Sequence, residues 1–379
     1  MTAHPKQLLV QLKKRRWIVL LLLIILLLVF AMNRNYRQHQ NLTPKSAQCY
    51  LPEDYSRDDA IYRLRPLNAL KDLLLEERQP RFRRTIFFLE TSCSMPPRFK
   101  YNKLELAAMQ ACAIESAAQL NPSYDVFVLY ASPWNYLPDK KTMSQLLEVT
   151  LSNPNVYLRS VNLQSLAVDT PVEDWLKSAE LFKSRNPTEH ISYLLRLLVL
   201  YRFGGFYVDF DVLFMRTLMN LLENFLGAES EQSLASSLLS LAPSGIGREF
   251  IKECLRDFQQ HFDAKNWRKN GDQLINRVAS KFCGTQNVSA MLDNRSGCRG
   301  LHIHDWYAFY AVQRSYVQDF FDPARVEETL ELTNGSYLVH LWNKLSYELP
   351  VKFNSDTAYG KLAKQYCPKV YEAISENSN

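Results

Sequence analysis

The sequence predicts an α/β domain on a mostly parallel sheet, carried behind an N-terminal membrane segment. Three observations lead there. A strand, a long helix and a second strand follow one another between residues 85 and 130. A glycine pair leads from a long apolar helix into a short apolar run ending on two aspartates, "RFGGFYVDFDVLF" at 202–214. An uncharged run at 17–32 follows a basic N-terminus. The 379 residues are 47% hydrophobic and 22% charged, a folded protein's composition, and suffice for one large domain or two ordinary ones.

The uncharged run is "WIVLLLLIILLLVFAM", Trp17 to Met32. Lys6, Lys13, Lys14, Arg15 and Arg16 precede it and account for five charges of the formal +6. The remainder is near neutral, so no nucleic-acid partner is expected. The run reads as a transmembrane signal anchor, its length suited to a thin bilayer such as that of the early secretory pathway. The Lys/Arg excess keeps residues 1–16 cytoplasmic. A cleaved signal peptide is the alternative; the long run and the lack of a small-x-small cleavage site argue against it. A single-pass type II protein follows, with everything beyond residue 33 in the lumen. All seven cysteines (Cys49, Cys93, Cys112, Cys254, Cys283, Cys298 and Cys367) lie on that side, as do the sequons at Asn41, Asn287, Asn294 and Asn334. An odd count leaves at least one thiol free or intermolecular.

Residues 33–82 are polar, basic and broken by prolines, and read as a luminal stem with one short helix at "LNALKDLLL". A luminal domain then occupies 83–379. "TIFFLE" (85–90) is a β-rich run, "KLELAAMQACAIESAAQL" (103–120) a helix, and "YDVFVLY" (124–130) and "NVYLRSV" (155–161) further strands. Strand, helix and strand at this spacing require a parallel crossover. A later helix opens at "NPTE", with Asn186 as N-cap, Pro187 at the first position and Glu189 able to reach back to the cap. It runs to Phe203, apolar nearly all round between Ile191 and Tyr201, so it is buried on more than one side. Arg196 lies inside that run and needs a partner, either a core carboxylate or an anionic ligand.

Gly204 and Gly205 end the helix and turn the chain into a strand. Strand alternation then puts Asp209 and Asp211 on one side and Phe210 on the other, in the core. At the carboxyl end of a parallel strand the pair overlooks the crevice where open α/β sheets bind ligands. Two carboxylates so close repel unless a cation joins them, and a hard divalent ion shared with phosphate oxygens meets that need. Glu229 and Glu231 have the same spacing in a polar stretch and read as a solvated face.

Four blocks, "IFFLETS" (86–92), "DTPVEDW" (169–175), "LYRFGGFYVDFDVLF" (200–214) and "VHLWNK" (339–344), resemble the α1,4-glycosyltransferase family in order and separation. The resemblance covers roughly 83–370. It implies a GT-A type fold, a UDP-sugar donor, a divalent metal such as Mn²⁺, and transfer with retention of galactose or an N-acetylhexosamine to a terminal sugar, often on a glycolipid, in the Golgi. UDP-galactose, UDP-N-acetylgalactosamine and UDP-N-acetylglucosamine all remain open, as does a homo- or hetero-oligomeric state. Carried over by position, Asp211 is the expected direct metal ligand and Asp209 serves the ribose and metal side. Arg196 is expected near the donor sugar and diphosphate. His340, Trp342 and Asn343 match the family's C-terminal block, with His340 expected near the metal or diphosphate.

The chain departs from the family at three places expected to touch the donor. A Ser-Asp pair is Ser192-Tyr193 here, an Asn-Gly is Ser236-Ser237, and a Gly-Pro is Gly271-Asp272. Tyr193 is therefore expected to weaken the hold on the donor sugar. A weakly active or non-catalytic Golgi binding protein is the alternative. A phosphatase of the haloacid-dehalogenase kind fits worse, because its Asp-x-Asp opens the domain whereas this pair comes late.

Overall fold

The computed structural model describes residue 50 and residues 67–92, 102–178, 180–293, 297–346 and 355–376. The run at 17–32, Cys49, Cys93 and the sequons at Asn41 and Asn294 lie outside the described residues. Among those described, no helix is long and apolar enough to cross a membrane. Asn287 and Asn334 are both exposed.

Strands β1 (Thr85–Glu90) and β2 (Asp125–Tyr130) pair in parallel through the crossover helix α1 (Ala108–Leu120), and β3 (Val156–Ser160) adds to β2 in parallel. The helix begins later than Lys103. Residues 102–107 alternate between exposed and buried, with Leu104 and Leu106 inside, which is an extended period. Asn102–Lys103 accordingly forms a short parallel ladder with Asn135–Tyr136.

Helix α2 (Pro187–Phe203) returns the chain to β4 (Gly205–Val208), which pairs in parallel with the other side of β1. The expected capping box is not made. Ser184 Oγ accepts from the Asn186 N–H at 2.9 Å instead, and Glu189 turns outward toward Lys344 at 3.5 Å. Gly204 (φ 63°) and Gly205 (φ 99°) make the turn, and a Cβ at Gly205 would clash with the Thr85 carbonyl. Glycine is what lets β4 dock against β1.

Next come β5 (Val212–Phe214), β6 (Phe225–Ser230), β7 (Ser233–Leu241), helices α3 (Gly245–Gln260) and α4 (Asp272–Cys283), β8 (His302–His304) and β9 (Leu338–His340). The seven-stranded order is β8-β6-β7-β4-β1-β2-β3. Only β7 is antiparallel to its neighbours, β4 and β6. Just Glu231 and Gln232 separate β6 from β7, too few residues for a parallel crossover. The sheet is therefore mixed but mainly parallel. Alternate strand residues feed opposite faces: Phe87, Phe127 and Leu129 pack with α2, while Ile86, Phe88, Val126 and Val128 pack with α1.

The stretch 67–82 packs on this sheet. Where a helix is expected, a single 3-10 turn forms at Leu73–Leu75; the Asp72 side chain caps its start by taking the Leu74 N–H at 2.8 Å, and the chain is extended again at Glu76. Leu70 and Leu73 are buried, and Arg78 and Arg81 both reach Asp125 at 2.7 Å. Disulfides join Cys112 to Cys367 and Cys283 to Cys298, and Cys254 is a buried free thiol.

Candidate active site

β4 stops at Val208, so Asp209 and Asp211 lie just past the strand, and strand alternation is not what brings them together. A bend does. Phe210 stacks on Phe88, ring centroids 5.2 Å apart, and the chain re-enters a short antiparallel ladder in which Val212 faces His340. That ladder delivers His340 to the aspartates. One ligand atom from each of Asp209, Asp211 and His340 lies within 4.8 Å of the others.

Each member is held from behind. Asp209 takes the Tyr207 hydroxyl and lies 3.4 Å from the Arg196 guanidinium. Burial pushes its carboxyl above the ordinary range; Arg196 opposes that and the Asp211 charge reinforces it. Asp211 accepts the Asn343 N–H at 2.8 Å through Oδ2 and faces His340 Nε2 at 3.3 Å through Oδ1. His340 Nδ1 accepts the Trp342 N–H at 3.1 Å, while its buried Nε2 has no hydrogen-bond partner among the described residues. Two carboxylates and an imidazole with an orphaned nitrogen fit a divalent cation of the Mn²⁺ type. With Nδ1 accepting, the neutral ring carries its proton on Nε2, so ligation there requires the other tautomer and release of the Trp342 contact. Trp342 has a φ of 50°, a conformation rare outside glycine.

Arg196 lies behind the crevice wall, against Asp209. It is 5% exposed and does not line the crevice. A guanidinium has five N–H donors, and this one makes four hydrogen bonds and an ion pair. Nε gives to Ser192 O at 3.2 Å, Nη1 to Ser236 O at 2.7 Å and Ser236 Oγ at 3.3 Å, and Nη2 to Ser192 Oγ at 2.9 Å, with Asp209 at 3.4 Å. The sequence motivates both a core carboxylate and an anionic ligand as its partner, and the first is found.

The triad closes one end of a cavity of about 1290 Å³. Trp342 flanks the triad there, and Asn343 contributes its backbone N–H rather than its side chain. Tyr193, Trp267, Ser236, Ser237 and Asp272 also line it, so all three departures from the family pattern meet in one place. Glu229, expected on a solvated face, lines it too. It is the penultimate residue of β6 and half-buried, and burial foremost raises its carboxyl above the usual range. Glu231, one residue past the strand, is exposed. Equal spacing concealed this because the strand end falls between the two. Arg314 and Lys344 are cationic lining residues that sequence reasoning did not single out. Lys344 lies 3.7 Å over the Trp267 ring, and its place in the "VHLWNK" block was a usable signal.

Comparison with known proteins adds two family matches. One, described as the alpha 1,4-glycosyltransferase conserved region, covers residues 243–374; the other, a glycosyltransferase sugar-binding region containing DXD motif, covers 108–230. The chain is 32% identical over 292 residues to lactosylceramide 4-alpha-galactosyltransferase of Mus musculus, covering 76% of each. It is 27% identical over 295 residues to the alpha-1,4-N-acetylglucosaminyltransferase of Homo sapiens, covering 77% of this chain and 81% of that one. A solved structure of LgtC is 15% identical with a TM-score of 0.36, covering 76% of this chain and 95% of that one.

Proposed function

The chain belongs to the alpha 1,4-glycosyltransferase family and is a glycosyltransferase, and from that premise we propose that it is a Golgi enzyme of GT-A type. It moves galactose or an N-acetylhexosamine from a UDP-sugar to a terminal sugar of a glycolipid, forming an α1,4 linkage with retention. The observation that carries this reading is the Asp209–Asp211–His340 cluster at the end of a large crevice beside the parallel strands. These three residues would hold a divalent ion such as Mn²⁺, which when bound supplies positive charge beside a departing diphosphate.

The chain's own groups do the rest. Arg196 fixes the Asp209 carboxylate and the Ser236 carbonyl from behind the cavity wall. Lys344 and Arg314 line the crevice as cations able to neutralise diphosphate oxygens as charge develops there. Trp267 and Trp342 present aromatic faces suited to flat or apolar ligand surfaces. In this reading residues 1–16 are cytoplasmic, 17–32 anchor the protein, the stem follows, and the domain from residue 83 works in the lumen.

Calorimetry with UDP in the presence and absence of Mn²⁺ tests the reading. Metal-dependent binding that disappears in Asp211→Ala supports it, and equal binding by that variant rejects it. Protease protection of a C-terminal tag in intact microsomes tests the topology, and digestion without detergent would reject it.

A further inference from the structure

Two of the departures from the family pattern are in contact. The ring of Tyr193, 8% exposed, sits directly on the backbone of Gly271, where a Cβ would fall inside the ring's van der Waals envelope. On one side the ring lies parallel to Trp267, at a centroid distance of 6.4 Å and an interplanar angle of 5°. On another, the Arg196 guanidinium carbon is 4.7 Å from its centroid. The ring is thus wedged and forms a wall of the cavity.

The next residue after Gly271 carries a charge. Asp272 opens α4 and lines the same cavity. Its Oδ1 accepts both the Ser236 N–H at 3.0 Å and the Ser236 hydroxyl at 2.5 Å. Ser236 is itself pinned through its carbonyl and hydroxyl by Arg196. The carboxylate is therefore oriented through a chain that ends at Asp209 of the metal cluster. No hydrogen bond to Oδ2 is made among the described residues.

We propose that Asp272 is the carboxylate that accepts hydrogen bonds from hydroxyls of the transferred sugar, and that the Tyr193–Gly271–Trp267 stack is the wall against which that sugar is set. This rests on the reading of the site as one for a UDP-sugar. A charge-assisted bond to a sugar hydroxyl is worth on the order of ten- to a hundred-fold in affinity.

The test is calorimetry of the full-length protein in detergent with Mn²⁺, titrated separately with UDP, UDP-galactose, UDP-N-acetylgalactosamine and UDP-N-acetylglucosamine. Wild type should bind one of the three sugars ten-fold or more tighter than UDP. Asp272→Asn keeps an amide oxygen for Ser236 and should abolish that preference, with UDP affinity within two-fold of wild type. Tyr193→Phe keeps the wall and should preserve the preference. A preference that survives in Asp272→Asn overturns the proposal, as does a parallel loss of UDP affinity, which would mark a merely structural role. A preference lost in Tyr193→Phe would place the contact on the phenol and overturn it too. A wild type that binds UDP without preferring any sugar overturns this inference alone, whereas one that binds no UDP overturns the functional reading beneath it.

Discussion

Acidification should unfold this protein partly through one buried histidine. His190, on α2, has no exposed surface. Its Nε2 faces the Asn270 amide nitrogen at 3.0 Å and its Nδ1 faces the Ser184 hydroxyl at 2.6 Å. The Asn270 amide cannot turn over without loss, because it also donates to the Asp263 carbonyl at 3.0 Å and accepts the Asp263 N–H at 3.1 Å. Nε2 is therefore an acceptor and the ring is neutral; a second proton would point at another N–H. Burial lowers the His190 pKa from 6.5 to about 4, with Glu189 and Asp263 opposing it weakly.

For a depressed basic group the sign is clear. Its contribution is fully present above the unfolded pKa and is lost as pH falls toward the folded one. Between about pH 7.5 and about pH 5 the linkage relation gives a loss of about 2 kcal/mol from this residue alone. Urea denaturation of the detergent-solubilised protein with EDTA, at both pH values, should show that loss in wild type and not in His190→Gln. Any constant cost of the substitution cancels in the comparison. If the two proteins lose stability equally, within roughly 0.5 kcal/mol, the reasoning is refuted. The effect reaches the site, because Asn270 immediately precedes Gly271 and Asp272.

Other outcomes are as specific. Arg196→Lys offers three donors where the guanidinium makes four hydrogen bonds and an ion pair, so it should lower stability by about 2 kcal/mol or more and weaken Mn²⁺ binding through a loosened Asp209; denaturation and metal titration check both. Tyr193→Asp removes the wedged ring and sets a second carboxylate beside Asp272, so it should cost about 3 kcal/mol and should not raise transfer of any of the three sugars. Increased turnover in that variant would contradict the wall. Burial raises the Glu229 carboxyl, so its acidic limb in a pH–activity profile should lie above the normal carboxylate range and vanish in Glu229→Gln. Severing Cys112–Cys367, which closes a separation of 255 residues, should cost about 5.5 kcal/mol on loop entropy. Melting of the double serine variant measures it.

The elements of the first half were legible because their periods are unmixed. Thr85–Glu90 and Asp125–Tyr130 are continuous apolar runs of strand length, α2 carries Pro187 at its start and Gly204 after its end, and neither signal depends on distant residues. What escaped was set by contacts across the chain. Leu104 and Leu106 continue a helical sequence but alternate in burial because the 135–136 segment pairs beside them. His340 reaches the aspartates through a ladder between residues more than a hundred positions apart, and only the family resemblance suggested it.

Arg196 and the Tyr193–Asp272 pair show where position-by-position comparison stops. Read singly, Arg196 is a cation that could meet a phosphate, Tyr193 is a lost aspartate, and Asp272 is a lost proline. Each reading is chemically sound, and none counts neighbours. The Arg196 guanidinium is held by Ser192 and Ser236 oxygens and faces the Asp209 carboxylate. Its charge instead orders Asp209 and, through Ser236, Asp272. Tyr193 and Asp272 meet through that network: the ring lies on Gly271, and the residue following that glycine carries a carboxylate held by Ser236. Drift at a failing site would scatter its substitutions without regard to one another, whereas these gather around a single buried arginine that hydrogen-bonds Ser236 and lies against the Tyr193 ring, which favours a donor pocket rebuilt over one abandoned.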